Sequence, residues 1–477
     1  MDSTQNILNL FEQISAIPRG TGREAQLRGW LCTWAERHQL SWKVDEAGNL
    51  VIRVPATPGF EQAPIIVLQG HMDMVCEKTP DSPHDFTRDP IGCIVEGEWL
   101  RADRTTLGAD NGIAIALAMA LVEDKSVGHP PLELLFTVEE EVGIGGANKL
   151  QPGFIAGKVL LNLDSEEEGT FIVGCAGGQT TRIFLPLKFE ALPSRQAYRL
   201  EVSGLQGGHS GVDIHKHRAN ANKLLGRALA QLQKMGTLRL ISIKGGTAHN
   251  AIARGAEAVI TFDPTQQERV EQGLQRFQAI LRDEYAVSDP GVTLTLAPAP
   301  AEQAVTAADT ERAIQLLTAL PHGVAEMSAS VPGFVETSNN LATVQIAEGA
   351  LQVVTSQRST VMSRLQELTE RISAIGALAG AEVTNGEAYS GWQPNRDSQL
   401  VRRSVEIYTQ TFGKTPNVEM IHAGLECGVI GGIFGGMDMI SLGATIQNPH
   451  SPSERLHIPS VKRVWQYLVA FMESHRS

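Results

Sequence analysis

Pro64-Ile-Ile-Val-Leu-Gln-Gly-His-Met-Asp-Met-Val75 opens on a short apolar run behind a proline, which reads as a buried strand, and closes on a histidine and an aspartate two residues apart. Residues two apart in an extended chain face the same side. His71 can therefore offer one ring nitrogen to a metal while Asp73 fixes the orientation of the ring. Alone, the triplet also fits two surface polar residues, and its neighbours have to decide between the readings.

Outward from this stretch the pattern repeats. Leu132-Glu-Leu-Leu-Phe-Thr-Val138 and Lys158-Val-Leu-Leu-Asn-Leu163 are further short apolar runs, and Gly112 to Glu123 is apolar on every side, as a buried helix is. Strand, helix, strand in this order predicts an α/β fold with a parallel or mixed sheet covered on both faces. From about residue 187 the texture changes. Gln196-Ala-Tyr-Arg-Leu-Glu-Val-Ser203 alternates with period two, Ala219 to Lys234 is an amphipathic helix pattern, and a helix is expected over Arg358 to Leu378. This reads as an α+β domain on a one-sided sheet. The turn-rich segment Asn385 to Pro394 reads as a linker, after which the α/β texture returns and ends in a helix over Val461 to Ser474. The expected organisation is a catalytic domain in two pieces, residues 1–186 and 391–477, with an inserted lid domain, residues 187–390, between them.

The 477 residues exceed what one core usually supports, and the formal charge of −13 lacks the basic face that a nucleic-acid partner calls for. No segment approaches the roughly 20 apolar residues of a membrane span, and Met1-Asp-Ser-Thr-Gln-Asn6 lacks the basic and apolar regions of a leader, so a cytoplasmic location is expected. The five cysteines, Cys32, Cys76, Cys93, Cys175 and Cys427, form no Cys-x-x-Cys pair and suggest neither disulfides nor a thiolate metal site.

Four more sites set an acid or histidine at a strand end or in a turn. Leu107-Gly-Ala-Asp-Asn-Gly112 puts Asp110 just before the buried helix, where, taken alone, it reads first as a simple cap. Phe136-Thr-Val-Glu-Glu-Glu-Val-Gly143 brings three carboxylates out of a buried strand, and their repulsion calls for a cation or a shared proton. Leu161-Asn-Leu-Asp-Ser165 places Asp164 at the carboxyl end of another strand, the edge at which open α/β sheets bind ligands. Gln447-Asn-Pro-His-Ser-Pro-Ser-Glu-Arg455 holds His450 between two prolines. The donors are nitrogen and oxygen only, an inventory suited to two zinc ions sharing a carboxylate.

In order and rough spacing these motifs resemble the co-catalytic dizinc peptidase family that includes carnosinase, peptidase T and peptidase V, over nearly the whole chain. The resemblance implies a zinc-aminopeptidase-like mixed-sheet domain with an inserted α+β lid. It implies that Asp110 bridges two zinc ions, for which cobalt or manganese are substitutes, with His71 and Asp164 completing one site and Glu141 and His450 the other. Asp73 would orient His71, and Glu140 would be the general base, with Glu139-Glu140 as the alternative register for the working pair. The lid would add His209, in Gly207-Gly-His-Ser-Gly211, as a donor to the oxyanion. Asn250, in Gly245-Gly-Thr-Ala-His-Asn-Ala-Ile252, and Arg358, in Ser356-Gln-Arg-Ser359, are candidates for the free carboxylate of a peptide.

The implied activity is hydrolysis of short peptides with a free N-terminus, Xaa-His dipeptides among them, by a homodimer with no nucleic-acid or membrane partner. Deacylation of N-acyl amino acids on the same metal core is the rival enzyme reading, and a catalytically silent metal-binding protein is the rival from another class. His422 and Glu426, four apart at the start of an expected helix, would share a face of that helix, and their role is open.

Overall fold

Ile66–His71 is a strand with every residue buried, as its unbroken apolar run requires. The computed structural model describes residues 3–192, 196–236, 238–329, 331–395 and 397–476. The chain divides into two compact units. One comprises Met1–Cys175, Trp392–Met420 and Leu425–Ser477, and the other Ala176–Gly391 with Ile421–Gly424.

In the first unit, Ile66–His71 runs parallel to Leu132–Thr137 on one side and to Val159–Asn162 on the other, and Val159–Asn162 runs parallel to Asp438–Ser441. These strands form the centre of an eight-stranded mixed sheet, flanked antiparallel by Leu50–Val54 on one side and Thr170–Cys175 on the other. In register His71 lies beside Thr137, Gln69 beside Asn162, and Asn162 beside Ser441. The carboxyl ends of the central strands therefore share one edge, and the chain leaves that edge carrying Asp73, the three glutamates, Asp164 and the His450 loop.

The helix Ala109–Glu123 is buried along almost its whole length and joins one core with Ser3–Ser15, Ile458–Glu473 and the sheet. It approaches its neighbours closely at glycines. A Cβ on Gly70 would lie 2.8 Å from Ala114 Cβ, and one on Gly112 would lie 3.0 Å from Phe11 Cε2. Among the described residues no helix is long and apolar enough to cross a membrane. No disulfide joins the cysteines among the described residues; Cys175 and Cys427 are buried and Cys76 is exposed.

The second unit is built on a nine-stranded sheet in which Ala197–Ser203 shows the alternating burial its sequence predicts. Helices Ala221–Gln233, Gln267–Glu284, Ala307–Ala319 and Met362–Leu378 contribute to its core. Asn220 caps the first of them by accepting from the backbone N–H groups of Asn222 and Lys223. The sheet is continuous across a narrow seam, where Leu238–Gly245 meets Val335–Ala347 at Lys244↔Gln345 and Gly245↔Val344.

Two expected elements differ. The helix expected from Arg358 begins at Met362, because Arg358 is still paired with Ser338 and Gly178 inside the strand Ala350–Ser359. The expected linker is fastened rather than loose, since Tyr389 bridges to Gly178 and Trp392 to Cys175.

Candidate metal centre

Asp110 stands between two histidines, with Oδ1 3.0 Å from His71 Nε2 and Oδ2 3.1 Å from His450 Nε2. Asp164 Oδ1 lies 3.3 Å from the same nitrogen of His71, and Glu141 Oε2 lies 3.1 Å from that of His450. The donor atoms of His71, Asp110 and Asp164 all lie within 4.8 Å of one another, and so do those of Asp110, Glu141 and His450. A further such group is His71, Glu140 and Glu141. All five residues read from sequence as ligands thus converge, with Asp110 common to two sets.

Local structure aims each donor. Asp110 (φ −77°, ψ 106°) and Asn111 (φ −116°, ψ 30°) are not helical, so the buried helix proper starts after them and the Asp110 side chain is directed at the imidazoles. Asn111 Oδ1 accepts from the His71 N–H (3.2 Å) and its Nδ2 donates to the Leu163 carbonyl (3.0 Å), tying the strands that carry His71 and Asp164. Its carboxamide fills the space where a Cβ on Gly70 would lie, 2.4 Å away, which accounts for the glycine before His71.

The Asp73 carboxylate is fully buried and divided among several partners. Oδ1 lies 3.2 Å from His71 Nδ1 and accepts from the Glu140 N–H at 3.0 Å, while Oδ2 accepts from the Glu141 N–H (3.2 Å) and Thr21 Oγ1 (3.0 Å). One side chain thus lies against the histidine ring and accepts from the backbone of the glutamate turn. In that turn Glu139 has φ 54° and its carboxylate pairs with Lys149 Nζ at 3.0 Å, so Glu140 and Glu141 are the pair that remains with the cluster.

The electrostatics are those of crowded carboxylates balanced by imidazoles. Burial raises the proton affinity of Asp164 to about 6, helped by Asp110 and Glu141. Glu140 is raised well above the ordinary carboxylate range by burial and by like charge from Asp164, Glu141 and Glu426. Burial would also raise Asp110, but the hydrogen bonds from His450 and His71 outweigh it and hold the group well below its usual range. Hydrogen bonds to Asp110 and Glu141 push His450 up to about 11. Burial pulls His71 down, but Asp164, Asp110 and Asp73 together carry it well above its usual value.

Beneath these groups lies a buried hydrogen-bond chain that patterns in the sequence did not reveal. Ser441 Oγ donates to Asn162 Oδ1 (2.5 Å), Asn162 Nδ2 to Gln69 Oε1 (2.6 Å), and Gln69 Nε2 and Thr137 Oγ1 to Glu426 Oε2 (2.5 and 2.8 Å). Each central strand contributes one polar residue. A polar residue near the end of each apolar run was the available signal.

On the second unit, His209 is half-buried, and its Nδ1 accepts from the Val212 and Gly211 N–H groups at 3.0 and 3.3 Å, which places the ring proton of the neutral form on Nε2. Arg358 is buried, donates from Nη1 to Tyr389 Oη (2.9 Å) and has no hydrogen-bond partner at Nε. Asn250 is exposed, and its carbonyl accepts from the Ser210 N–H. His422 does not share a helix face with Glu426, because the helix begins at Glu426. His422 instead belongs to the second unit, with Nε2 2.8 Å from Ser338 Oγ, and burial beside Arg358 pushes its pKa down to about 3.

Residues 200–289 match the family model described as a peptidase dimerisation domain. The chain is 41% identical to the cytosol non-specific dipeptidase of Escherichia coli (strain K12) over 99% of its own length and 98% of the relative's. The crystal structure of an aminoacylhistidine dipeptidase from Vibrio alginolyticus matches with a TM-score of 0.86 at 38% identity, over 98% of this chain and 96% of that one. An aminopeptidase, PepT, from Bacillus cereus shares the fold, with a TM-score of 0.58 at 16% identity over 99% of each chain.

Proposed function

The chain belongs to the M20 peptidases, the family of the cytosol non-specific dipeptidase, and from that premise we propose that it is a dinuclear metallo-dipeptidase cleaving short peptides with a free N-terminus. The observation that carries the proposal is the division of the Asp110 carboxylate, one oxygen against His71 and the other against His450. His71, Asp164 and Asp110 Oδ1 would hold one cation, and His450, Glu141 and Asp110 Oδ2 the other. The donors fit such ions: they are nitrogen and oxygen only, and Glu141 Oε1 is buried without a hydrogen-bond partner beside them. Zinc suits this set, with cobalt or manganese as substitutes. A pair of divalent cations held in this way acidifies a water and polarises the scissile carbonyl.

The protein's own groups supply the rest. Glu140 takes a proton from the attacking water and returns it to the leaving amine nitrogen, a task that suits a carboxylate whose proton affinity is raised by burial and like charge. Asp73 holds the His71 ring and the backbone of Glu140 at once. We assign His209 to the oxyanion on the strength of its Nε2 proton, and Arg358, with Asn250, to the peptide carboxylate on the strength of its buried guanidinium. The lid, expected over residues 187–390, is read as the unit Ala176–Gly391 with Ile421–Gly424, and the other unit as the catalytic domain. The dimerisation-domain match supports a homodimer, and the name of the Escherichia coli relative supports a cytosolic location and a broad dipeptide range.

The test is Glu140→Gln. This variant is expected to keep two zinc ions per chain and lose 10²–10⁴-fold in dipeptide turnover. Full activity would remove Glu140 from the mechanism. A dipeptide and its N-acetyl form, compared on the native protein, separate dipeptidase from deacylase, since equal cleavage of both points to the latter.

A further inference from the structure

Two charged side chains that the proposed mechanism leaves unused are buried at the edge of the sheet where the cluster lies: Arg19, 1% exposed, and Glu454, 2% exposed. Arg19 Nη1 donates to the carbonyls of Met72 (3.0 Å) and Asp73 (2.9 Å), and Nη2 donates to the carbonyl of Gly108. Glu454 accepts from four consecutive backbone N–H groups. Those of Leu107 (2.7 Å) and Gly108 (3.0 Å) meet Oε2, and those of Ala109 (2.8 Å) and Asp110 (3.3 Å) meet Oε1. The peptide groups of Gly108 are thus gripped from both sides, the N–H by a carboxylate and the C=O by a guanidinium.

The grip also explains the two glycines of the Gly108-Ala-Asp-Asn-Gly112 motif. A Cβ on Gly108, where φ is +72°, would lie 2.6 Å from Arg19 Nη2, and one on Gly112 would lie 2.7 Å from the same atom. The guanidinium occupies the place of both side chains, and it cannot withdraw without giving up three carbonyls. Glu454 follows His450 by four residues on one loop, and Arg19 reaches the backbone on either side of the Met72–Asp73 peptide. Two side chains therefore tie together the segments bearing His71, Asp110 and His450 while touching none of the three donor groups.

We propose that Arg19 and Glu454 are a positioning pair for the metal centre, bracketing the Leu107–Asp110 turn so that the Asp110 carboxylate presents one oxygen to each cation set. The proposal rests on the dinuclear reading above. Asp110 is the ligand common to both sets, so an error in its backbone is felt at both, and conservative changes at the bracket lower cation affinity while the fold persists. Glu454→Gln replaces one acceptor oxygen by an amide NH2 that faces two N–H donors. Arg19→Lys keeps the charge but cannot span three carbonyls.

The experiment titrates metal-free native protein, Glu454→Gln and Arg19→Lys with Zn²⁺ against a chromophoric chelator, and records thermal unfolding of each metal-free form. We expect each variant to bind at least one of the two ions 10- to 100-fold more weakly, the range seen when groups supporting metal ligands are removed. Zinc affinities equal to those of the native protein overturn the proposal. So does a lowered unfolding temperature with unchanged affinity, which marks a purely structural pair. If Glu454→Gln does not fold, Glu454→Asp, which keeps the charge and shortens the reach, carries the same comparison. Native protein that fails to bind two ions per chain counts against the dinuclear reading itself, and the two failures are thereby told apart.

Discussion

Asp73 and Glu426 show how differently single residues announce themselves. Asp73 sits two residues from His71 on an extended segment, so its relation to the ring is a matter of local geometry and could be read directly. Its second task, accepting the N–H groups of Glu140 and Glu141, depends on a turn 67 and 68 residues away and could not. Asp73→Asn puts an NH2 group among those donors and is expected to lower kcat by roughly 10- to 100-fold, measured on one dipeptide at saturating zinc. Glu426 takes its partners from Thr137 and Gln69, 289 and 357 residues away, and burial raises its pKa from 4.5 to about 7. Because the folded value lies above the unfolded one, Glu426 contributes stability that is complete below pH 4.5 and lost as pH rises through about 7. Metal-free native protein should therefore lose up to about 3 kcal/mol relative to Glu426→Gln between pH 5 and 8, as read from denaturant midpoints. Parallel pH profiles for the two proteins would contradict this.

At the scale of elements, the start of the Ala109–Glu123 helix is the instructive case. Taken alone, Asp110 reads as a cap of this helix, yet Asp110 is itself non-helical and the N–H groups of the turn it closes, Leu107 to Asp110, are satisfied by Glu454. Capping from a distant loop leaves Asp110 for the imidazoles. Gly108→Ala should cost roughly 2 kcal/mol or more, combining a left-handed backbone with a clash against Arg19, and Gly112→Ala roughly 1–3 kcal/mol from the clash alone. Thermal unfolding of both variants measures this, and a neutral Gly108→Ala would mean that Arg19 is free to move. The strands were legible because an apolar run of six residues with turn formers at its ends has few other uses. The boundary at Met362 was not, because the pairing of Arg358 with Ser338 and Gly178 overrides the helical pattern of the following residues.

For the molecule as a whole, the cluster's donors come from five separate stretches of chain, with Asp110 and His450 340 residues apart. Ions bound by the folded chain and not by the unfolded one stabilise it by mass action, about 2.7 kcal/mol at a hundredfold excess over Kd. Exhaustive treatment with a chelator should therefore abolish dipeptide hydrolysis and lower the unfolding temperature, with zinc restoring both. An unchanged unfolding temperature would argue against ions at this cluster. The sequence by itself determined the class of fold and the strand-end position of most of the acids and histidines in the cluster, because periodicity and strand-end position are short-range properties, while the role of each as a ligand was implied by the family resemblance. Only the tertiary structure decided which glutamate turns away to Lys149, that His422 and Glu426 part company, and that Arg19 and Glu454 hold the turn beside Asp110. Those outcomes rest on hydrogen bonds between residues tens to hundreds of positions apart, and no local pattern encodes which distant partner a buried polar group will find. The reading of Pro64 to Val75 thus led to the edge that carries the cluster, and folding brought a second set of residues, Arg19 and Glu454, around the turn that precedes Asp110.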